Sequence, residues 1–265
     1  MKIHPAAWIG WATCAGLVAF TTTNPFYLGL LVVVAWFVHA MRPAAGPAAR
    51  SFRVFAIAAL VTMALRTALV FLGTVNAANV AYAALEGARL ATLLIVFGTF
   101  NAVSDPFGVL RLAPRRFHEP ALAAALALSI APRTVAMVEQ VREGQRLRGI
   151  GGAGWRALPS LAVPVLATGM DEAVTLAESM DARGHGRGRR SRYRPDRWSV
   201  GAAVTLAAAV VAAAAFLAAA FSGAGDLHPS TTPLRWPSVE PALVVAVLLL
   251  AVPGVVPADV EAARR

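Results

Sequence analysis

Long apolar stretches separated by short polar segments dominate the chain. A helix that crosses a membrane needs about 20 mostly apolar residues, and six stretches come close to that length. They are Ala7 to Thr22, Phe26 to Met41, Val54 to Thr74, Gly87 to Ser104, Val200 to Phe221 and Pro241 to Val256. The pattern predicts an all-α, polytopic integral membrane protein with about six transmembrane helices.

The stretch between residues 121 and 182 is apolar too, but charges and prolines interrupt it. Its apolar residues recur at helical spacing, which predicts two long amphipathic helices at the cytoplasmic face instead of further spans. The first helix has the apolar set Val135, Val138, Val141 and Leu147; the second has Leu161, Val165, Leu166, Thr168, Met170, Val174, Ala177 and Met180. We expect Pro132, Pro159 and Pro164 to break or kink these helices. The predicted organisation is 1–110 with transmembrane helices 1 to 4, 111–197 with the cytoplasmic helices, and 198–265 with transmembrane helices 5 and 6.

The charges support a membrane protein and predict its orientation. Apolar residues make up 58% of the chain and charged residues 14%, with a formal net charge of +10. The arginines lie in blocks between apolar stretches, so positive-inside orientation and anionic lipid account for the charge better than a nucleic-acid partner does. The segments predicted to be external, 23–25, 75–86 and 222–240, contain one basic residue, Arg235. We therefore predict a multi-pass protein of the cell (plasma) membrane with both termini in the cytoplasm.

Two arginines depart from this distribution. Arg66 falls near the middle of its predicted span, where a cation costs at least a few kcal/mol and is a functional candidate. It could equally extend to the membrane surface or pair with a carboxylate inside the bundle. Arg89 falls close to the predicted outer boundary, where an interfacial anchor is the simpler interpretation.

Two helix endings between residues 121 and 197 share one pattern. The sequence EGQRLRGIGG contains Leu147, Arg148 and Gly149, and the sequence AESMDARGHG contains Ala182, Arg183 and Gly184. In each, a largely apolar helix ends in an arginine followed by a glycine, which can adopt the left-handed conformation that closes a helix.

These endings carry a family resemblance. The segment from Glu86 to Gly149 and the later sequence AESMDARGHGRGRRSRYRPDRW resemble the transmembrane T component of energy-coupling factor (ECF-type) ABC transporters, including the cobalt-type permeases. The resemblance covers most of the chain, more closely over 86–198 than over 1–53. The family more often has alanine before the first arginine, where this chain has Leu147.

The resemblance implies a non-catalytic coupling subunit and its partners. Each arginine motif would insert into one of two cytoplasmic ATPase subunits, and their motion on ATP would pass to a substrate-capture (S) membrane protein that imports a vitamin or a transition metal such as cobalt. Alanine-rich runs such as Ala207 to Ala220 are candidates for helix packing against that protein. The family implies no cofactor or metal in this subunit.

Other interpretations remain open at the level of sequence. Arg148 and Arg183 could be ordinary C-terminal cations that interact with the helix dipole and lipid phosphates, and the basic run that begins at Arg183 could bind headgroups.

The glycine-rich sequence IGGAGWRALPS lacks the lysine and Ser/Thr of a phosphate-binding loop. An enzyme would need converging polar groups, and the nearest pair is Glu139 and Glu143, spaced as on a solvated helix face. A self-sufficient secondary transporter would need mid-membrane polar groups and commonly two related halves, and only Arg66 meets the first requirement.

Overall fold

The computed structural model describes residues 3–42, 47–73, 75–149, 158–185, 198–230 and 236–256, and over these residues the chain is helical without β-strands. The predicted all-α class is confirmed there. The α-helices are α1 Pro5–Thr21, α2 Pro25–Met41, α3 Pro47–Ala68, α4 Ala77–Val103, α5 Pro106–Arg111, α6 His118–Leu147, α7 Leu158–Ala182, α8 Val200–Ser222, α9 Pro241–Leu249 and α10 Val252–Val255. Two short 3-10 helices cover Leu69–Leu72 and Arg115–Phe117.

Five helical stretches in the described residues are long and apolar enough to cross a membrane, which indicates a membrane-embedded protein. They are Ser51–Leu72, Ala77–Val103, Glu119–Leu147, Pro159–Ala182 and Val200–Ser222. The helices α1 and α2 are apolar but shorter, with 17 residues each. By length and composition, α6 and α7 are thus also able to cross a membrane, although we predicted them at the cytoplasmic face. Their location and the count of about six spans stay predictions.

Contacts divide the chain into two compact units, Met1–Leu112 with Asp196–Arg265, and Ala113–Pro195. In the first unit, α1 packs on α8 and α4, α2 packs on α4 and α9, and α3 lies mainly along α4. The largest fully buried side chains of this unit are Trp11, Tyr27, Phe216, Leu28 and Leu31. Small buried residues of α8, such as Ala209 and Ala212, let α1 approach closely.

The turn between α1 and α2 is held by a buried asparagine. Asn24 is fully buried and caps α2, because its side-chain oxygen accepts from the backbone N–H of Phe26 at 3.1 Å. Its amide also donates to the carbonyls of Asp226 and Ser238 at 2.8 and 3.1 Å. These contacts tie the turn between α1 and α2 to the segment that follows α8.

The last predicted span is interrupted. We expected one helix from Pro241 to Val256, but α9 ends at Leu249 and α10 begins at Val252. Proline has no N–H to continue the ladder, so Pro253 favours a break here. Side chains from elsewhere donate to backbone carbonyls at the break and at the end of α10, as membrane burial demands. The Trp11 indole donates to the carbonyl of Leu250 at 2.9 Å, and the Arg42 guanidinium donates to those of Pro253 and Val256 at 3.1 and 2.6 Å.

The helix α4 is longer than predicted. It begins at Ala77, whereas the sequence predicted a span from Gly87 with an external segment before it. Asn79 and Glu86 interrupt the apolar run and obscured the helix. The alanines between them are strong helix formers, so the helix continues through both polar residues.

The second unit contains α6 and α7. Neither Pro132 nor Pro164 breaks its helix, because both lie inside continuous helices, and a kink at these prolines stays a prediction. Pro159 lies in the first turn of α7, where a proline costs no hydrogen bond. The glycine-rich loop at 150–157 lies outside the described residues.

Candidate functional site

The C-terminus of α6 is closed by a left-handed glycine. Gly149 has a φ of +71°, and its N–H donates to the carbonyl of Arg146 at 3.0 Å. The backbone N–H of Arg148 donates to the carbonyls of Gly144 and Gln145 at 3.3 and 3.2 Å. Arg148 is therefore the last residue whose backbone N–H donates to the carbonyl four residues earlier, and Gly149 turns the chain away from the helix axis.

The C-terminus of α7 closes in the same way. Gly184 has a φ of +76°, and its N–H donates to the carbonyl of Asp181 at 2.9 Å. The next N–H, of His185, reaches back to the carbonyl of Met180 at 3.0 Å. These two bonds are those of the Schellman motif. The left-handed glycines predicted at both helix ends are confirmed.

The side chains at both ends are exposed. Leu147 has 84% of its surface exposed, and Arg148, Ala182 and Arg183 are exposed as well. Neither guanidinium forms a hydrogen bond or an ion pair with a described residue. Each helix thus ends in an exposed arginine, next to backbone carbonyls that carry partial negative charge. Neither arginine side chain has a partner in the described part of the chain.

The two arginines lie far apart. The Gln145 side chain donates to the carbonyl of Ser160 at 2.9 Å, which holds the end of α6 near the beginning of α7. Arg148 follows closely after that contact, whereas Arg183 lies at the opposite end of the 25-residue helix α7. At about 1.5 Å per residue, α7 extends roughly 35 Å from Ser160 to Arg183, and this length separates the two arginines. The sequence predicted the two motifs but not their separation.

A hollow of about 580 Å³ lies on the α6 surface before the first arginine. It is lined by Glu139, Arg142, Glu143, Arg146 and Leu147. Its four charged side chains are exposed, and each glutamate lies three residues before an arginine of opposite charge, so the charges balance along the helix. The two glutamates therefore share a solvated face with two arginines.

Arg89 lies farther from its helix end than predicted. Because α4 begins at Ala77, Arg89 lies well inside the helix. Its guanidinium lies 5.2 Å from the ring centre of Phe20, which is in the last turn of α1. Arg89 also forms a 2.8 Å ion pair with Glu86, and the two side chains are only 21% and 13% exposed. Its role as an interfacial anchor stays a prediction.

Arg66 also differs from its predicted placement. It lies in the last turn of α3, toward the end of the apolar stretch Ser51–Leu72 instead of near its middle. Its side chain is exposed. Arg66 and Arg89 belong to adjacent helices, because a Cβ at Gly87 would lie 3.4 Å from the Cβ of Arg66. The structure thus places both predicted intramembrane arginines on the α3–α4 pair.

Sequence reasoning missed Glu86 as the partner of Arg89. The signal was present, because a glutamate three residues before an arginine forms a pair on a helix. It was overlooked because Glu86 was assigned to an external segment. The basic run at 186–197 and Arg235 lie outside the described residues. Within the described ranges, no group of three His, Cys, Asp or Glu residues is placed to hold a metal ion.

No protein-family model matches the chain, and no curated protein matches it.

Proposed function

We propose that this chain is the membrane-embedded T component of an ECF-type uptake transporter, a scaffold that couples two ATPase subunits to a substrate-capture protein. One observation carries the proposal. Two long helices of one unit end in the same way, each with an exposed arginine and a left-handed glycine, at positions roughly 35 Å apart. The resemblance of both motifs to those of the T component supports the same assignment.

The chemistry of each helix end suits docking into a groove on another protein. An arginine presents a planar set of donors that binds carboxylates or backbone carbonyls at two points, and it keeps its charge on burial. The guanidiniums of Arg148 and Arg183 form no interaction with a described residue that a partner would first have to break. Arginine is also enriched among residues that dominate binding energy. Leu147, 84% exposed, adds an apolar contact at the first site.

The separation of the two ends supports binding of two subunits at once. The separation is at least the diameter of a small domain, about 30 Å, so two domains can bind side by side without overlap. An ordinary pair of C-terminal cations needs no such spacing. We therefore assign Leu147, Arg148 and Gly149 to one ATPase, and Ala182, Arg183 and Gly184 to the other.

The proposed mechanism is mechanical. Closure of the ATPase pair on ATP would move the two docked helix ends relative to each other, and α6 and α7 would pass that movement to the substrate-capture protein. Such coupling requires two discrete arrangements of the helices, each favoured by one state of the ATPases. The ATPases and the capture protein would carry ATP and the vitamin or metal ion, so this chain would need no cofactor of its own.

The substrate-capture protein would pack against apolar helix faces in the membrane. One face of the run from Ala207 to Ala220 is already occupied, since Ala209, Ala212 and Ala219 are buried in the core of the chain. Its opposite face remains available, with Val210 and Val211 about half exposed, at 50% and 55%. In the proposed orientation both termini and the two arginines face the cytoplasm.

Photocrosslinking in native membranes tests the assignment. A photoreactive amino acid replaces Leu147 or Ala182, and in matched controls it replaces Val135 or Met170, exposed residues of the same helices twelve positions earlier. We expect an adduct with an ATP-binding subunit from Leu147 and Ala182 but not from the controls. No such adduct at either helix end, or equal adducts at all four positions, would refute docking by the helix ends.

A further inference from the structure

The two proposed docking ends have the same anchor. Each consists of an exposed arginine, Arg148 or Arg183, followed by a left-handed glycine. Five residues before the arginine, each end has an exposed glutamate, Glu143 on α6 and Glu178 on α7. Because these features are common to both ends, any preference of one end for one partner has to come from the residues between the glutamate and the arginine.

The residue directly before the arginine differs in size. On α6 it is Leu147, which has 84% of its surface exposed and is therefore available for burial by a partner. On α7 it is Ala182, which is exposed but presents only a methyl group. A groove that encloses Leu147 would leave a cavity beside Ala182, and a groove shaped for Ala182 would have no room for Leu147. One groove therefore does not fit both ends.

The residue two positions before the arginine differs in charge. On α6 it is Arg146, which is exposed and lines the same hollow as Leu147. Its guanidinium forms no hydrogen bond or ion pair with a described residue. On α7 the equivalent residue is Asp181, which is also exposed. A groove whose carboxylates attract Arg146 would repel Asp181, and such repulsion discriminates between partners as well as attraction does.

From these differences we infer that the two helix ends select two different ATPase subunits, and that the two residues before each arginine decide which subunit binds there. The inference rests on the proposed coupling function. The subunit at α6 has an acidic groove with an apolar pocket for Leu147, and the subunit at α7 has a shallower groove without an excess of carboxylates. The ATPase pair is then a heterodimer that binds this chain in one orientation. Exchange of its subunits would force Leu147 against a groove without a pocket and place Asp181 in an acidic one.

Photocrosslinking of the full chain in native membranes tests the inference. A photoreactive amino acid replaces Glu143 in one sample and Glu178 in another, so that the selecting residues stay intact. Each glutamate lies three and four residues before the two selecting residues of its end, which places it on the same helix face. Mass spectrometry of the adducts identifies each partner by its peptide sequence. We expect one ATP-binding chain at Glu143 and a different ATP-binding chain at Glu178.

An exchange on α6 tests the assigned residues. The double variant Arg146→Asp, Leu147→Ala reproduces the two residues that stand before the arginine of α7. The adduct at Glu143 should then change from the first chain to the second, and loss of the buried leucine alone should weaken binding of the first chain about 30-fold. The control Leu128→Ala, Arg133→Asp makes the same substitutions at exposed positions of α6 and should leave the adduct unchanged.

The reciprocal exchange Asp181→Arg, Ala182→Leu on α7 should bring the first chain to Glu178. The same ATP-binding chain at both glutamates of the wild type would overturn the inference and leave docking by the helix ends intact. Two chains whose positions neither exchange alters would show that other residues select them, and this result would also overturn the inference. No ATPase adduct at either glutamate would overturn the proposed function and this inference with it.

Discussion

Glu86 and Arg89 form a 2.8 Å ion pair within α4 whose two side chains are mostly covered, while the Arg89 guanidinium lies over the ring of Phe20 from α1. The Nε of Arg89 is buried and has no hydrogen-bond partner among the described residues. The carboxylate is therefore the main compensation for a cation inside the helix bundle.

Removing that carboxylate should destabilise the protein. We expect Glu86→Gln to lower the free energy of unfolding by about 2 kcal/mol, because an uncompensated charge would remain in a partly buried position. The double variant Glu86→Gln, Arg89→Gln should recover part of the loss. Thermal unfolding in detergent measures both, with the exposed Glu143→Gln as a control. Equal midpoints for Glu86→Gln and Glu143→Gln would contradict the account.

The sequence predicted the regular parts of the fold because hydrophobic periodicity and helix-ending glycines are local signals. The left-handed conformations of Gly149 and Gly184 followed from such signals. The predicted span began only at Gly87 because Asn79 and Glu86 interrupt the apolar run, whereas the alanines between them continue the helix back to Ala77. Likewise, the hydrogen bonds at and after the break before Val252 come from Trp11 and Arg42, which are more than 200 residues away in sequence.

The candidate site was likewise predictable from the sequence only in part. Its residue types and their repetition were visible in the sequence, including the apolar Leu147 before the first arginine. The distance between Arg148 and Arg183 was not, because it depends on the Gln145–Ser160 contact and on α7 continuing through Pro164. A proline predicts a break from local chemistry alone, whereas neighbouring turns can preserve the helix around it.

Replacing glycine by alanine in α6 and α7 should have opposite effects on stability at the helix ends and in the helix interiors. Gly149→Ala and Gly184→Ala should each cost about 1 kcal/mol, because their φ values are strained for a residue with a Cβ. Gly144→Ala and Gly169→Ala should stabilise by about 0.5–1 kcal/mol, because these glycines are inside helices with open space around them. Hydrogen exchange of the two helices measures the difference. The same sign at all four positions would contradict the described helix ends.

Close packing of α3 on α4 should make Gly98 intolerant of a side chain. A Cβ there would lie 2.6 Å from the Cβ of Phe55, so Gly98→Ala should destabilise by about 1–3 kcal/mol. Gly29→Ala is the matched control, since Gly29 is also helical but has no atom within 4 Å of an added Cβ. The midpoint of thermal unfolding should be clearly lower for Gly98→Ala than for Gly29→Ala. Similar midpoints would mean that the helices are not packed as described.

The break between α9 and α10 should depend on the Trp11 indole. Trp11→Phe keeps the aromatic packing but removes the N–H donated to the carbonyl of Leu250, and a buried carbonyl without a partner costs about 1–3 kcal/mol. Trp36→Phe is a suitable control, because Trp36 is 60% exposed. Chemical denaturation in detergent compares them. A Trp11→Phe variant as stable as the control would show that the break does not need this hydrogen bond.

Co-purification from native membranes tests the coupling function most directly. The tagged wild type is compared with the double variant Arg148→Glu, Arg183→Glu and with the charge-matched control Arg133→Glu, Arg142→Glu, whose arginines are exposed on α6. Loss of two interface arginines should weaken binding at least about 30-fold at each site. We predict that an ATPase pair co-purifies with the wild type and the control and is lost from the double variant, at equal membrane insertion. ATPase recovery unchanged in the double variant, or a wild type that purifies alone, would contradict the proposed function.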